Sequence, residues 1–152
     1  MTDHAPPPSL LDQMLCFEIY STEHAFGRLY KDLLTPLGLT YPQFLVMIFL
    51  WEQDGRMVRE IGAALGLESN TLTPMIKRLE AAGFVKRTRD TRDERRVLVG
   101  LTPMGDQLRH EVGHIRACVT EATGMSEAEL RTLFTSLKTL RKALETASGG
   151  SG

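Results

Sequence analysis

From Leu10 to about Leu34 apolar residues recur with the period of a helix, and Gly38, Thr40 and Pro42 then punctuate the pattern. A second apolar helix is expected from about Pro42 to Glu52, closed by the turn signal Asp54-Gly55. Two shorter helical segments follow, Val58 to Leu65 and about Ser69 to Ala82, joined by Gly66-Leu67-Glu68. Val58, Ile61 and Leu65 share one face of the first. Ser69 is the expected N-cap of the second, whose inward face is Leu72, Met75, Ile76 and Leu79. Gly66 suits a left-handed cap, and Pro74 falls about one turn into its helix, near the limit a helix start tolerates.

Beyond Gly83 the period changes. Phe84 to Thr88 and Arg95 to Thr102 read as strands around a charged loop, Arg89 to Glu94. Thr102 is placed to cap a long helix beginning at Pro103, with Leu108, Val112, Ile115 and Val119 as its stripe. A last helix starts at Ser126, with Glu129 completing a capping box and a stripe of Leu130, Leu133, Phe134, Leu137, Leu140 and Leu144. Two short helices joined by a Gly-containing turn make a helix-turn-helix, and a basic hairpin directly after it makes a wing. The expected architecture is therefore mainly α with a small β-wing. A winged helix-turn-helix lobe spans 41–102, and N- and C-terminal helices (9–40 and 103–147) form a dimerisation domain. Residues 1–8, with Pro6-Pro7-Pro8, read as a disordered arm and 148–152 as a flexible tail.

Composition narrows the class. A chain of 152 residues with 42% hydrophobic and 24% charged residues suits one soluble globular domain. It has no apolar run of membrane-spanning length and no secretory signal pattern, so a cytoplasmic protein without a membrane partner is expected. Two cysteines, Cys16 and Cys118, are too few for a disulfide scaffold or a closed zinc site. The net charge of −1 hides a local excess. Between Lys77 and Arg96 there are eight basic residues against four acidic ones, a local +4.

That excess lies on the helix-turn-helix and wing, which points to double-stranded DNA. Ser69, Asn70, Thr71, Thr73 and Lys77 form the outward face of the recognition helix, with hydrogen-bonding groups suited to base edges and phosphates. Arg92 and Arg95 sit at the wing tip, where arginine enters a minor groove, and Asp93 is the neighbour expected to hold Arg95. A two-fold dimer would read a pseudo-palindrome with half-sites about 34–36 Å apart.

The segments 69-SNTLTPMIKRLEAAGFVKR-87 and 89-RDTRDERRVLVGLTPMG-105 resemble the MarR family of bacterial regulators, and the likeness runs from Leu11 to about Leu144. LDQMLCFEIYSTEHAFGRLYK and GLTYPQFLVMIFLWE are similar to its organic-hydroperoxide-responsive (OhrR-type) branch. The resemblance implies that Cys16 is the peroxide-sensing thiol and that Tyr20, Tyr30 and Tyr41 hydrogen-bond it. It also includes a two-cysteine subtype, which makes Cys118 a possible resolving thiol. Reduced protein would bind its operator, and protein oxidised by an organic hydroperoxide would release it.

In a straight helix Tyr20 and Tyr30 lie at about 40° either side of Cys16, but Tyr30 is about 21 Å away along the axis. Unless the helix bends sharply, Tyr30 does not reach its own Cys16; an antiparallel second copy across a two-fold axis would bring Tyr30 of one subunit to Cys16 of the other. Leu15, Phe17, Ile19 and Phe26 would give the thiol an apolar setting suited to an organic peroxide. Three other readings remain in view. One is a repressor released by a small aromatic or phenolic effector, with Cys16 structural. An enzyme is not expected: a thiol peroxidase would need a thioredoxin-like β-α-β pattern and a T-x-x-C context, and the chain has neither. His110 and His114, four residues apart, read as surface histidines rather than a metal site, and no cofactor is expected.

Overall fold

A computed structural model describes residues 6–93 and 95–149. The expected arm and tail therefore lie partly outside the described residues. The described chain divides into two compact units, one up to Val112 and one from Gly113.

In the first unit, a 3-10 turn at Leu11–Gln13 precedes helix α1, Leu15–Leu34. The helical pattern expected from Leu10 is thus broken, because Met14 between the two is extended. Helix α2, Tyr41–Glu52, starts from a capping box: Thr40 Oγ1 accepts from the Gln43 amide, and Gln43 Oε1 accepts from the Thr40 amide. These two bonds satisfy donors that a helix start leaves open. Phe44, Val46, Met47 and Leu50 are all buried, so α2 presents apolar side chains over more than one face and runs through the centre of this unit.

The helix-turn-helix follows as α3, Val58–Leu65, and α4, Ser69–Ala81. Gly66 ends α3 at φ +68, a left-handed conformation that glycine adopts at no steric cost. The N-cap of α4 is Glu68 and not Ser69. Glu68 is extended and its carbonyl takes the first helical bonds from Thr71 and Leu72, which places Ser69 inside the helix. Pro74 lies in the body of α4, where it gives no N–H to the Asn70 carbonyl; Asn70 is exposed, so water can serve that carbonyl.

The sheet has three antiparallel strands in the order β1-β3-β2, with β1 at Arg56–Met57, β2 at Val85–Arg89 and β3 at Val97–Leu101. Val85 pairs with Leu101 and Arg89 with Val97, so the hairpin projects the loop 90–96 away from the core. Asp54 Oδ1 accepts from both the Gly55 and Leu101 amides, each at 2.8 Å, and ties the turn before β1 to the end of β3. Leu72, Ile76 and Leu79 of α4 are fully buried with Ile61 and Val99.

The single helix expected from Pro103 is divided. Thr102 caps α5, Pro103–Gln107; a 3-10 segment, Leu108–Glu111, follows, and then α6, Val112–Thr123. Gly113, a weak helix former, sits in the first turn of α6 beside that tightened segment. Gly105 of α5 is held by close approach, since a Cβ there would lie 1.9 Å from the Phe84 carbonyl oxygen. Its own carbonyl accepts from Trp51 Nε1 at 3.0 Å.

The second unit holds the rest of α6 and α7, Glu127–Gly149. Ser126 and Glu129 form the expected capping box before α7. Of the tail expected from residue 148, Ser148 and Gly149 continue α7, with Ser148 Oγ donating to the Leu144 carbonyl, and residues 150–152 lie outside the described residues. Along α7 the stripe is not covered: Leu133, Phe134, Leu137 and Leu144 are exposed.

Candidate nucleic-acid interface and thiol sites

The period of α4 turns Leu72, Ile76 and Leu79 inward and leaves Ser69, Asn70, Thr71 and Lys77 exposed, with Thr73 half-buried. The outward set is thus fixed by the same periodicity that fills the core. In the wing, Arg92, Asp93 and Arg95 are exposed. Asp90 Oδ1 accepts from the Arg92 amide at 2.9 Å, and Asp93 Oδ1 from the Arg95 amide at 3.0 Å. Asp93 therefore shapes the loop through its backbone. Its oxygen also pairs with the Arg95 guanidinium as an ion pair, 3.9 Å from Nε, longer than a hydrogen bond. The Arg95 side chain is 95% exposed and reaches into solvent.

Four residues outside the expected set, Arg59, Glu80, Arg87 and Arg96, contribute to this face. Glu80 of α4 accepts from the Arg87 amide at 2.8 Å and from its guanidinium at 3.0 Å, joining the recognition helix to strand β2. The Arg87 amide first, and the guanidinium second, hold the Glu80 carboxyl below the ordinary glutamate value. The seven-residue spacing spans the end of α4 and Gly83, so no periodicity in the sequence announces it. Arg59, at the start of α3, joins Ser69, Thr73, Arg87, Arg95 and Arg96 around a cleft of about 400 Å³. Four arginines against Asp93 make that cleft basic.

The thiol residues divide into separate groups. Cys16 is exposed in the first turn of α1. Tyr20, one turn on, is 57% exposed, with its ring 4.2 Å from that of His24 and 6.3 Å from that of Phe17. His24 Nδ1 donates to the Tyr20 carbonyl at 2.8 Å. Tyr30 and Tyr41 stand together, ring centroids 4.5 Å apart, and Tyr30 also lies 5.9 Å from Phe44. Burial, and then the Glu23 carboxylate, push the Tyr41 phenol above its ordinary value, so it remains a hydroxyl donor.

Helix α1 runs unbroken from Leu15 to Leu34, which puts Cys16 about 21 Å from Tyr30 of the same chain by helix rise. One chain does not bring Cys16 to Tyr30 and Tyr41. The surroundings of Cys16 are open and apolar: Leu15 is 64% exposed, and Leu11, Met14 and Ile19 are exposed beside it. Phe17 is half-buried and Phe26 exposed. Cys118 is half-buried on α6, with Sγ 3.6 Å from His114 Nε2.

A family model described as transcriptional regulator SarA/Rot matches residues 28–112. The chain is 46% identical over 142 residues to the HTH-type transcriptional regulator TtmR of Methylorubrum extorquens (strain PA1), which spans 93% of this chain and 73% of that one. It is 38% identical over 134 residues to the organic hydroperoxide resistance transcriptional regulator of Bacillus subtilis (strain 168), covering 88% and 91% of the two chains. The chain belongs to the SarA/MarR family of winged-helix transcriptional regulators. Among solved members, AbfR of Staphylococcus epidermidis has a TM-score of 0.74 to this SarA/MarR chain at 38% identity, over 90% of this chain and 94% of its own. AbfR has also been solved reduced and bound to DNA, overoxidized and bound to DNA, and in a disulfide-formed state. Among the described residues of the SarA/MarR chain no single helix is long and apolar enough to cross a membrane.

Proposed function

We propose that this SarA/MarR chain is a cytoplasmic, homodimeric repressor that binds a pseudo-palindromic operator and releases it when an organic hydroperoxide oxidises Cys16. Residues 9–40 and 103–147 supply the dimerisation region, and 41–102 the DNA-reading lobe. Ser69, Asn70, Thr71, Thr73 and Lys77 of α4 read base edges and phosphates in the major groove, while Arg92 and Arg95 follow the minor groove. Asp93 keeps the loop that carries both arginines in shape. The reading of Cys16 as sensor is supported by likeness to a relative named for organic hydroperoxide resistance and to AbfR, solved in several oxidation states.

The observation that carries the proposal is the separation of the thiol group from the tyrosine pair along one unbroken helix. A single copy leaves Cys16 open among exposed apolar side chains and leaves Tyr30 and Tyr41 at the far end. An antiparallel second copy of α1 completes both halves at once. The Tyr20, Tyr30 and Tyr41 hydroxyls then donate to the Cys16 sulfur and favour its thiolate, the form that attacks peroxide. The sulfur attacks one peroxide oxygen, the S–O bond forms, the O–O bond breaks, and the other oxygen leaves as the alcohol after taking a proton. Sulfur loses two electrons and the peroxide gains them. The resulting sulfenic acid condenses with Cys118 of the second copy, releasing water. A disulfide needs Cα atoms within about 7 Å. If the reduced dimer holds them farther apart, meeting that limit shifts helices and changes the spacing of the two recognition helices.

A gel shift on the promoter region tests this with wild type, Cys16→Ser and Cys118→Ser. Wild type should release DNA on addition of an organic hydroperoxide and rebind after dithiothreitol, while Cys16→Ser stays bound. Continued binding by all three would make Cys16 structural. Equal response to hydrogen peroxide at matched dose would remove the organic preference. One observation favours a second reading. The basic cleft of about 400 Å³ beside Ser69 and Thr73 has room for a small aromatic or phenolic effector, whose release of DNA would be independent of Cys16.

A further inference from the structure

We infer that His114 is the general base of the resolving step, taking the proton from Cys118 as its sulfur attacks oxidised Cys16. The inference rests on the redox reading above and concerns the half of the chemistry that the sensor tyrosines do not reach. His114 and Cys118 are one turn apart on α6, where side chains four residues apart share a face. Helical side chains lean toward the N-terminus, which carries the Cys118 sulfur down onto the imidazole. Sγ lies 3.6 Å from Nε2 and 4.0 Å from Nδ1, so Nε2 is the nitrogen that meets the thiol. Among the described residues no third His, Cys, Asp or Glu joins the pair in an arrangement that could hold a metal ion. The contact is therefore a two-group device, and imidazole is the side chain that exchanges protons near neutral pH.

The step balances. The S–H bond of Cys118 breaks and its proton passes to His114 Nε2. The Cys118 sulfur forms a bond to the Cys16 sulfur, and the S–O bond of the sulfenic acid breaks. The departing hydroxide takes the proton from His114 and leaves as water. Each sulfur ends in the disulfide state, the Cys16 sulfur reduced from the sulfenic level and the Cys118 sulfur oxidised from the thiol. The oxidant is the organic hydroperoxide consumed beforehand. A nearby base matters here because the thiolate is the attacking form and a thiol is only a few per cent ionised at pH 7.

The test uses the full chain, treated with one equivalent of cumene hydroperoxide and quenched at intervals with dimedone. Disulfide-linked dimer is read on non-reducing gels and the Cys16 adduct by mass spectrometry. His114→Ala should prolong the dimedone-reactive interval and slow disulfide formation about tenfold. A positioned base typically contributes about a hundredfold, and a thiol's own ionisation at neutral pH offsets part of that loss. His114→Gln, which keeps a side chain of similar reach, should be equally slow. Free imidazole should restore part of the rate to His114→Ala and none to Cys118→Ser. Wild-type rates in both His114 variants, with Cys118→Ser unable to form the disulfide, would overturn the inference and leave the redox reading intact. A slow His114→Ala that imidazole does not rescue, beside a normal His114→Gln, would also overturn it, since packing alone would then explain the loss. Absence of any Cys16 adduct, in wild type and Cys118→Ser alike, would sink the redox reading itself.

Discussion

In the region from α2 to β3, Leu50, Ile61, Leu72, Ile76, Leu79 and Val99 are all fully buried within one chain. Helices α1 and α7 are the opposite: Leu15 and Tyr20 on the first, Phe134 (62% exposed) and Leu144 on the second, lie in the open. The same helical periodicity produced both stripes. What differs is whether the chain supplies a second surface. The recognition helix needs a rigid seat before a partner arrives, and its core gives it one. On the proposed reading, a sensor that transmits to two recognition helices gains from being unfinished in a single copy, because chemistry at Cys16 would then act where two chains meet.

The contrast can be broken most sharply by truncating one residue from each region. Leu72→Ala should lower the unfolding free energy by about 2–5 kcal/mol, whatever the protein concentration, as urea denaturation would measure. Phe134→Ala should leave the urea midpoint little changed at high concentration yet weaken self-association about tenfold or more in sedimentation. Like behaviour of the two variants would erase the distinction. At the DNA face the effect is smaller. Arg95→Ala should weaken binding evenly across sequences and reduce the slope of affinity against salt by about two per dimer, one for each copy, read by fluorescence anisotropy at several salt concentrations. Loss confined to one operator sequence would instead make Arg95 a base reader.

The smallest effect concerns the Glu80–Arg87 link. Because the Glu80 carboxyl is held below its ordinary value, the link stabilises the folded state above the unfolded glutamate value of about 4.3. Its contribution fades as pH falls through the lowered folded value. Glu80→Gln should therefore melt slightly below wild type at neutral pH, and the two curves should converge as pH falls through the lowered folded value. A gap that persists in acid would mean the carboxylate charge is not what Arg87 holds.

Much of this was legible because it depends on period and punctuation. Leu72, Ile76 and Leu79 at helical spacing, the bounds Val58 to Leu65, Gly66 and the Thr102 cap all stand as the sequence reads. The exceptions have physical causes. Strand β1 is two residues long, too short for an alternating pattern to register. Ser69 looks like the better cap, but the backbone of Glu68 turns first, and capping depends on φ and ψ as well as on side chain. Met14 breaks the N-terminal helix without a proline or glycine to mark it. Glu80 reaches Arg87 across a chain reversal, a contact that no local pattern encodes. For the thiol set, only the resemblance to OhrR-type regulators implies roles for Cys16, Tyr20, Tyr30 and Tyr41, and helix rise adds that one copy keeps Tyr30 away from Cys16.

The central claim, that Cys16 meets Tyr30 of a second copy, is tested most directly by disulfide trapping in a Tyr30→Cys/Cys118→Ser protein. Mild oxidation should convert the double variant to a covalent dimer on a non-reducing gel, and further substitution of Cys16→Ser should abolish that band. The separation of about 21 Å along α1 excludes the same bond within one chain. A double variant that stays monomeric on the gel under the same oxidation would contradict the account.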